Sequence, residues 1–363
     1  MALIATNHLA LIIEFAILMH IGILLLLNFL PLNSNVVYML SLVLGAGITL
    51  MFFIDAVCLL LPMLSHHEFT HPYGPIAIFV IVTSWAMTYM LQGQGVRTSN
   101  LKLLVLLETM GIAIFGAVVH RDFLIMFILG ILIGFFILDK TNGKGKHEHS
   151  ILTPRNMLLV VVAMFLLFGI MEGLSQVLHM EIISPLSRID RMNANQFSSL
   201  KLVIDNTNLF GHSANATYWG NSSMGNSDGY ISLPLTFITS FGLPFPLFYG
   251  ILVTKKDIID YFLPGIFGIG FDFGYLALAA VIIWILVVII IGLVILNKYK
   301  LQRERGSKRY IGREALLIGS LSAFIAQTIL GLFIITRTIN GSALVTYLFL
   351  SAMVMAHVVT TKR

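Results

Sequence analysis

Charge is what this chain has least of. Asp, Glu, Lys and Arg make up 11% of its 363 residues, while 58% are hydrophobic. Ordinary soluble domains carry about a quarter charged residues, so the balance excludes a soluble globular domain and indicates a polytopic membrane protein. Cysteine is nearly absent. Cys58 stands alone inside an apolar run, so no internal disulfide is possible and the redox compartment is not legible. Nucleotide motifs are missing too: there is no Walker A sequence and no glycine-rich loop after a strand. An ATP-driven machine would need a separate ATPase subunit, and nothing points to nucleic acid. The apolar runs do not alternate, which argues against an outer-membrane barrel. The opening stretch, MALIATNHLALIIEFAILMHIGILLLLNF, lacks a basic n-region and a small-residue cleavage site and is expected to be a retained span.

What the chain does have is long apolar runs. They fall near 9–30, 36–62, 75–92, 102–119, 122–138, 156–175, 231–254, 258–272, 273–297, 314–337 and 341–360. Backbone groups in hydrocarbon must bond internally, so runs of about 20 residues predict helices. The run at 258–272 is short and carries Pro264 and Gly265, Gly268 and Gly270, with Gly274 just beyond; it reads as a half-helix or a re-entrant segment. The expected fold is an all-α polytopic membrane protein of ten or eleven spans, forming one membrane domain over 1–363. N-terminal helices occupy 1–175, a large extracytoplasmic loop 176–230, and C-terminal helices 231–363.

Lys and Arg set the orientation. The loop NKYKLQRERGSKRYIGR (297–313) is the most basic and is expected in the cytoplasm, as are 139–149 and the terminal TKR. Counting spans then puts 176–230 on the outer face, with its own Arg188, Arg191 and Lys201.

That loop holds the densest chemistry. Arg188 and Arg191 are three apart and share a face of any helical turn, and guanidinium forks match phosphate oxygens. NQFSSLKLVIDNTNLFG follows as a candidate surface helix, then His212 in FGHS, then Asp228 in GNSDGYISLP. Cations, an interfacial helix and a carboxylate on a rim suit a lipid-linked phosphate substrate; a solvated loop with ordinary surface charges is the plainer reading. Asp122, after Arg121 in VVHRDFLIMF, is either a second acid of that site or a helix-start acid favoured by the dipole. Asp55 and Glu108 sit inside apolar runs and are functional suspects by default, unless they pair with neighbouring helices or are held as protonated carboxyls. Glu14 is expected to reach only the interface. SHHEFTH offers His66, His67, Glu68 and His71, but the spacing matches no standard zinc pattern, and a polar interfacial loop explains it. KHEH (146–149) is weaker still.

From about residue 115 onward the order of these features resembles the SEDS (RodA/FtsW-type) family of shape, elongation, division and sporulation glycosyltransferases. VVHRDFLIMFILGILIGFFIL is similar to that family's QPD-led helix, with Asp122 in the Asp position. SRIDRMNANQFSSLKLVIDNTNLFGHS resembles its Arg, surface helix and Gly-x-Gly rim, with Ser213 for the second Gly. IGSLSAFIAQTILGLF carries Gly319 and Gln327 at the family's spacing, and the tail NGSALVTYLFLSAMVMAHVVTTKR is similar to its closing helix. The family's catalytic stretch, roughly Pro-Glu-x-His-Thr-Asp-Phe, stands here as GNSDGYI, which keeps the Asp with a small hydroxyl residue before it. GFDFGYL adds a rival acid, Asp272. The Leu-Pro-rich loop before the last helix is missing.

The resemblance implies a peptidoglycan glycosyltransferase of the bacterial cytoplasmic membrane, acting in cell wall synthesis, cell shape or division. It would polymerise lipid II with inversion on the outer face. Asp228 would be the general base and Asp122 a second cavity acid. Arg188, Arg191, His212 and Gln327 would bind substrate, with a divalent cation such as Mg or Mn beside the pyrophosphate. A class B penicillin-binding protein, or another divisome or elongasome protein, is the implied partner. The residues leave three alternatives open: an O-antigen-type polymerase or ligase with His212 as base, a transporter or flippase using Asp55, Glu108 and the broken 258–272 segment, and an inactive scaffold.

Overall fold

The protein is described from a computed structural model over residues 2–29, 33–60, 70–119, 121–142, 265–305, 310–333 and 341–360, with a few positions between 169 and 209. Eight helices make up the described part: α1 (Ala2–Phe29), α2 (Ser34–Leu60), α3 (Thr70–Gln92), α4 (Ser99–Val119), α5 (Arg121–Asn142), α6 (Gly265–Glu304), α7 (Ile311–Phe333) and α8 (Gly341–Thr360). Among the described residues, four stretches are long and apolar enough to cross a membrane: Ser34–Ile54, Gly74–Gln92, Ser99–Val118 and Gly274–Arg303. Shorter apolar helices run over Ala16–Phe29, Phe123–Asp139 and Val345–Val359. The protein is therefore membrane-embedded and, among the described residues, all-helical.

The helices start where polar residues can satisfy free backbone N–H groups. Asn33 accepts from Val36 N–H through its side chain at 3.0 Å and from Val37 N–H through its carbonyl at 3.1 Å. At α4 the Thr98 backbone carbonyl accepts from Lys102 N–H at 2.8 Å.

The core is built on small residues. In lipid, helices gain from close van der Waals approach. A Cβ on Gly319 of α7 would overlap Thr83 Oγ1 of α3, so α7 lies directly on α3 there. Ser320, Ser322, Ala323 and Ala326 are buried around that crossing. On α5, Gly130 faces Ile78 and Gly134 faces Val82, so α5 runs parallel to α3. Pairs between α6 and α7 run in opposite directions: Trp284 with Phe324, Gly292 with Leu321, Tyr299 with Tyr310. Pairs between α6 and α8 run the same way: Trp284 with Tyr347, Gly292 with Val354, Tyr299 with His357. The end of α6, the start of α7 and the end of α8 thus share one end of the bundle, where Lys298, Lys300, Arg303, Arg305 and Arg313 also lie.

Where it is described, the 258–272 run is a short helical piece that a kink at Gly274 sets off from the following span. From Gly265 the chain is already helical and passes into α6, with a break at Gly274 (φ 89°, ψ 174°). That conformation is open to glycine and strained for other residues. Beyond the break, 30 residues continue to Arg303, and their most apolar stretch reaches a mean hydropathy of 3.4. At 1.5 Å per residue this is about 45 Å, longer than a hydrocarbon core of about 30 Å. α6 therefore tilts or carries its basic end past the membrane. Glu14 is exposed on α1, two residues before the apolar stretch Ala16–Phe29.

Candidate functional site

Arg188, Arg191, His212 and Asp228 lie outside the described residues, as do His66, His67, Glu68 and 146–149. Three other candidates have placed backbones. Asp122 is in the first turn of α5, directly before Phe123. Phe123 is a meeting point: its ring packs at a tilt against Phe52 of α2, with centroids 4.9 Å apart, and contacts the positions of Gly74 of α3 and Gly116 of α4. Asp122 thus stands at the end of the bundle where α2, α3, α4 and α5 converge. Asp272 is in α6, two residues before the Gly274 break. Asp55 lies near the end of α2, between buried Phe52 and Ala56.

Gln327 is the predicted substrate-binding residue whose side chain is described. It is 1% exposed on α7 and directs its amide nitrogen at Thr346 Oγ1 of α8, at 3.4 Å. The next residue, Thr328, donates to Phe324 O at 2.7 Å and meets Tyr347 OH at 2.7 Å. Tyr347 stacks on Phe324 and turns an edge to Trp284. Gln327 belongs to a packed polar layer between α7 and α8.

A second polar layer was not legible in the sequence. Tyr38 OH of α2 meets Thr88 Oγ1 of α3 at 2.7 Å, and Thr88 donates back to Ser84 O at 2.8 Å. Trp85 Nε1–H donates to Thr109 Oγ1 of α4 at 3.1 Å, and Thr109 to Val105 O at 2.6 Å. Glu108 lies beside this layer, 4% exposed and within electrostatic reach of Tyr38. These hydroxyls are single residues in apolar runs, and only the fold shows that they face one another.

A third group closes the basic end. Tyr299 OH bonds His357 Nδ1 at 2.9 Å, and both side chains are fully buried. Arg303 Nε lies 3.2 Å from the buried Glu314 carboxylate. Among the described residues, no group of three or more His, Cys, Asp or Glu is placed to hold a metal ion.

No protein-family model, curated protein or solved structure matches this chain. The functional reading therefore rests on its own residues.

Proposed function

We propose that this protein is a SEDS-type membrane glycosyltransferase. It extends glycan strands from a polyprenyl-pyrophosphate-linked sugar, lipid II, on the outer face of a bacterial cytoplasmic membrane. The observation that carries the reading is the order of chemistry along the chain. An acid opens an apolar helix at Asp122. Arg188 and Arg191, a candidate surface helix and Asp228 follow, and then Gly319 and Gln327 on one helix. Support from the fold is that Asp122 opens α5 where four helices converge, and that Gly319 and Gln327 are both buried on α7.

In this mechanism the Asp228 carboxylate takes the proton of the acceptor sugar hydroxyl. The hydroxyl oxygen attacks the anomeric carbon of the donor from the face opposite the pyrophosphate. The bond from that carbon to the pyrophosphate oxygen breaks, the electron pair leaves with polyprenyl pyrophosphate, and configuration inverts. Arg188 and Arg191 stabilise the charge that develops on the leaving group. Asp272 is the rival base, because it sits beside a backbone break at the start of α6. A divalent cation bound at the pyrophosphate would supply further charge stabilisation for the leaving group. A class B penicillin-binding protein is the proposed partner. The test is polymerisation of fluorescent lipid II by the purified protein, with and without that partner. A ladder of glycan strands supports the reading. No product in either reaction, with divalent metal present, rejects it.

A further inference from the structure

Glu108 is a buried acid that the proposed reaction does not use. It is the tenth residue of the 21-residue α4, so it lies at the middle of a membrane span. Its side chain is 4% exposed, and neither carboxyl oxygen has a hydrogen-bond partner among the described residues. Its immediate neighbour is backbone: a Cβ on Gly45 of α2 would overlap Glu108 Oε2. One turn along, the arrangement is reversed. There α4 supplies the glycine, Gly111, and α2 the side chain, with Thr49 Cγ2 2.6 Å from where a Gly111 Cβ would stand. Thr49 Oγ1 is occupied, donating to Gly45 O at 2.8 Å. The α2–α4 joint is thus two reciprocal contacts, and the carboxyl fills one of them.

The packing decides what this acid can bind. An ionised carboxylate in hydrocarbon with no donor or cation beside it costs several kcal/mol. A metal ion would need several more oxygens and the space to seat them, and the glycine contact leaves neither. Tyr38 of α2 lies within electrostatic reach of Glu108, and Thr49 of α2 packs on Gly111 one turn along. Tyr38 and Thr88 bond each other, and Trp85 bonds Thr109. The described part of the joint brings no Lys, Arg or His to the carboxyl. A proton is the ligand that fits.

We propose that Glu108 is an intramembrane proton-binding site, and that the α2–α4 joint closes on the neutral acid and loosens when the proton leaves. The exposed faces of α2 and α4, carrying Leu44 and Val43 on one helix and Leu107 and Met110 on the other, lie to either side of this joint. Lipid therefore borders the seam, and loosening it alters a lipid-facing surface. The site stands whether or not the chain transfers sugars.

The test uses the full chain in lipid nanodiscs and dicyclohexylcarbodiimide, an apolar reagent for protonated carboxyl groups. The acid O–H adds across the C=N bond, and rearrangement leaves a stable N-acylurea on the side chain. Mass spectrometry of the labelled peptide should place the adduct on Glu108, with labelling falling as pH rises and lost in Glu108→Gln. Melting temperature gives an independent readout. A proton held in the folded state stabilises at low pH and that stability is lost as pH rises. Wild type should therefore melt lower with rising pH, while Glu108→Gln, a neutral mimic of the acid, should keep a wild-type melting temperature and lose that slope. An unlabelled Glu108, or Glu108→Gln melting well below wild type at every pH, overturns the proposal, because either means that the carboxylate is charged and paired.

Discussion

Gly319 and Thr83 hold α7 against α3 at a distance that leaves no room for a side chain on Gly319. Phe79 O, in the same crossing, also accepts the Thr83 hydroxyl at 2.7 Å. The threonine methyl and hydroxyl are thereby fixed, and the neighbour cannot give way. Overfilling a tight contact costs about 1–3 kcal/mol. Gly319→Ala is predicted to lower the melting temperature in detergent, and Gly319→Leu to abolish a folded monodisperse protein on size exclusion. Gly22, whose Cβ would meet nothing within 4 Å, is the control: Gly22→Ala should leave both readouts unchanged.

Tyr299→Phe removes the hydroxyl that joins α6 to α8 through His357. A buried neutral hydrogen bond contributes about 0.5–1.5 kcal/mol net, so a small fall in melting temperature is expected. The Tyr299–Tyr310 ring stack is kept by the Phe variant; Tyr299→Ala should cost distinctly more.

Arg303→Met should be more damaging than Glu314→Gln. The first leaves the fully buried Glu314 charge without the guanidinium 3.2 Å away; the second leaves a neutral amide beside an Arg that still reaches water. Removing one partner of a buried pair costs up to about 3–5 kcal/mol, an upper bound here because Arg303 is partly exposed. The Arg303→Met, Glu314→Met pair should recover part of the loss. Thermal melts of the three variants check the order.

Arg188→Ala and Arg191→Ala are each predicted to lower kcat by about 100-fold, the usual scale for removing one group that stabilises developing charge. Lys should restore activity only in part, since it cannot form a two-pronged contact with phosphate. Steady-state rates on lipid II with a fixed acceptor would measure this. Chelation should lower the same rate, with Mg or Mn restoring it.

Much of the described architecture was legible because lipid leaves the backbone few choices. The runs at 36–62, 102–119, 314–337 and 341–360 became α2, α4, α7 and α8, with boundaries shifted by a few residues. At α2 the shift comes from Asn33, a polar side-chain cap that an apolar window does not count. The short piece before Gly274 was legible from its proline and glycines, while the place of the break was not, because hydropathy reports depth and not which glycine leaves the helical conformation. Glu108 was recognisable as a buried acid from its neighbours in sequence. The glycine against it, on another helix, was not, since helix pairing leaves no local mark. Gln327 stood out only through the family resemblance, and the fold shows it in a packed polar layer with Thr346.

The central claim is that a rim carboxylate drives glycan transfer, and one measurement tests it most directly. Purified wild type, Asp228→Asn and Asp272→Asn would be compared for polymerisation of fluorescent lipid II, each with its melting curve to confirm folding. The account predicts glycan strands from wild type and from Asp272→Asn, and none from folded Asp228→Asn. Strands from Asp228→Asn at the wild-type rate, or none from wild type, would contradict it.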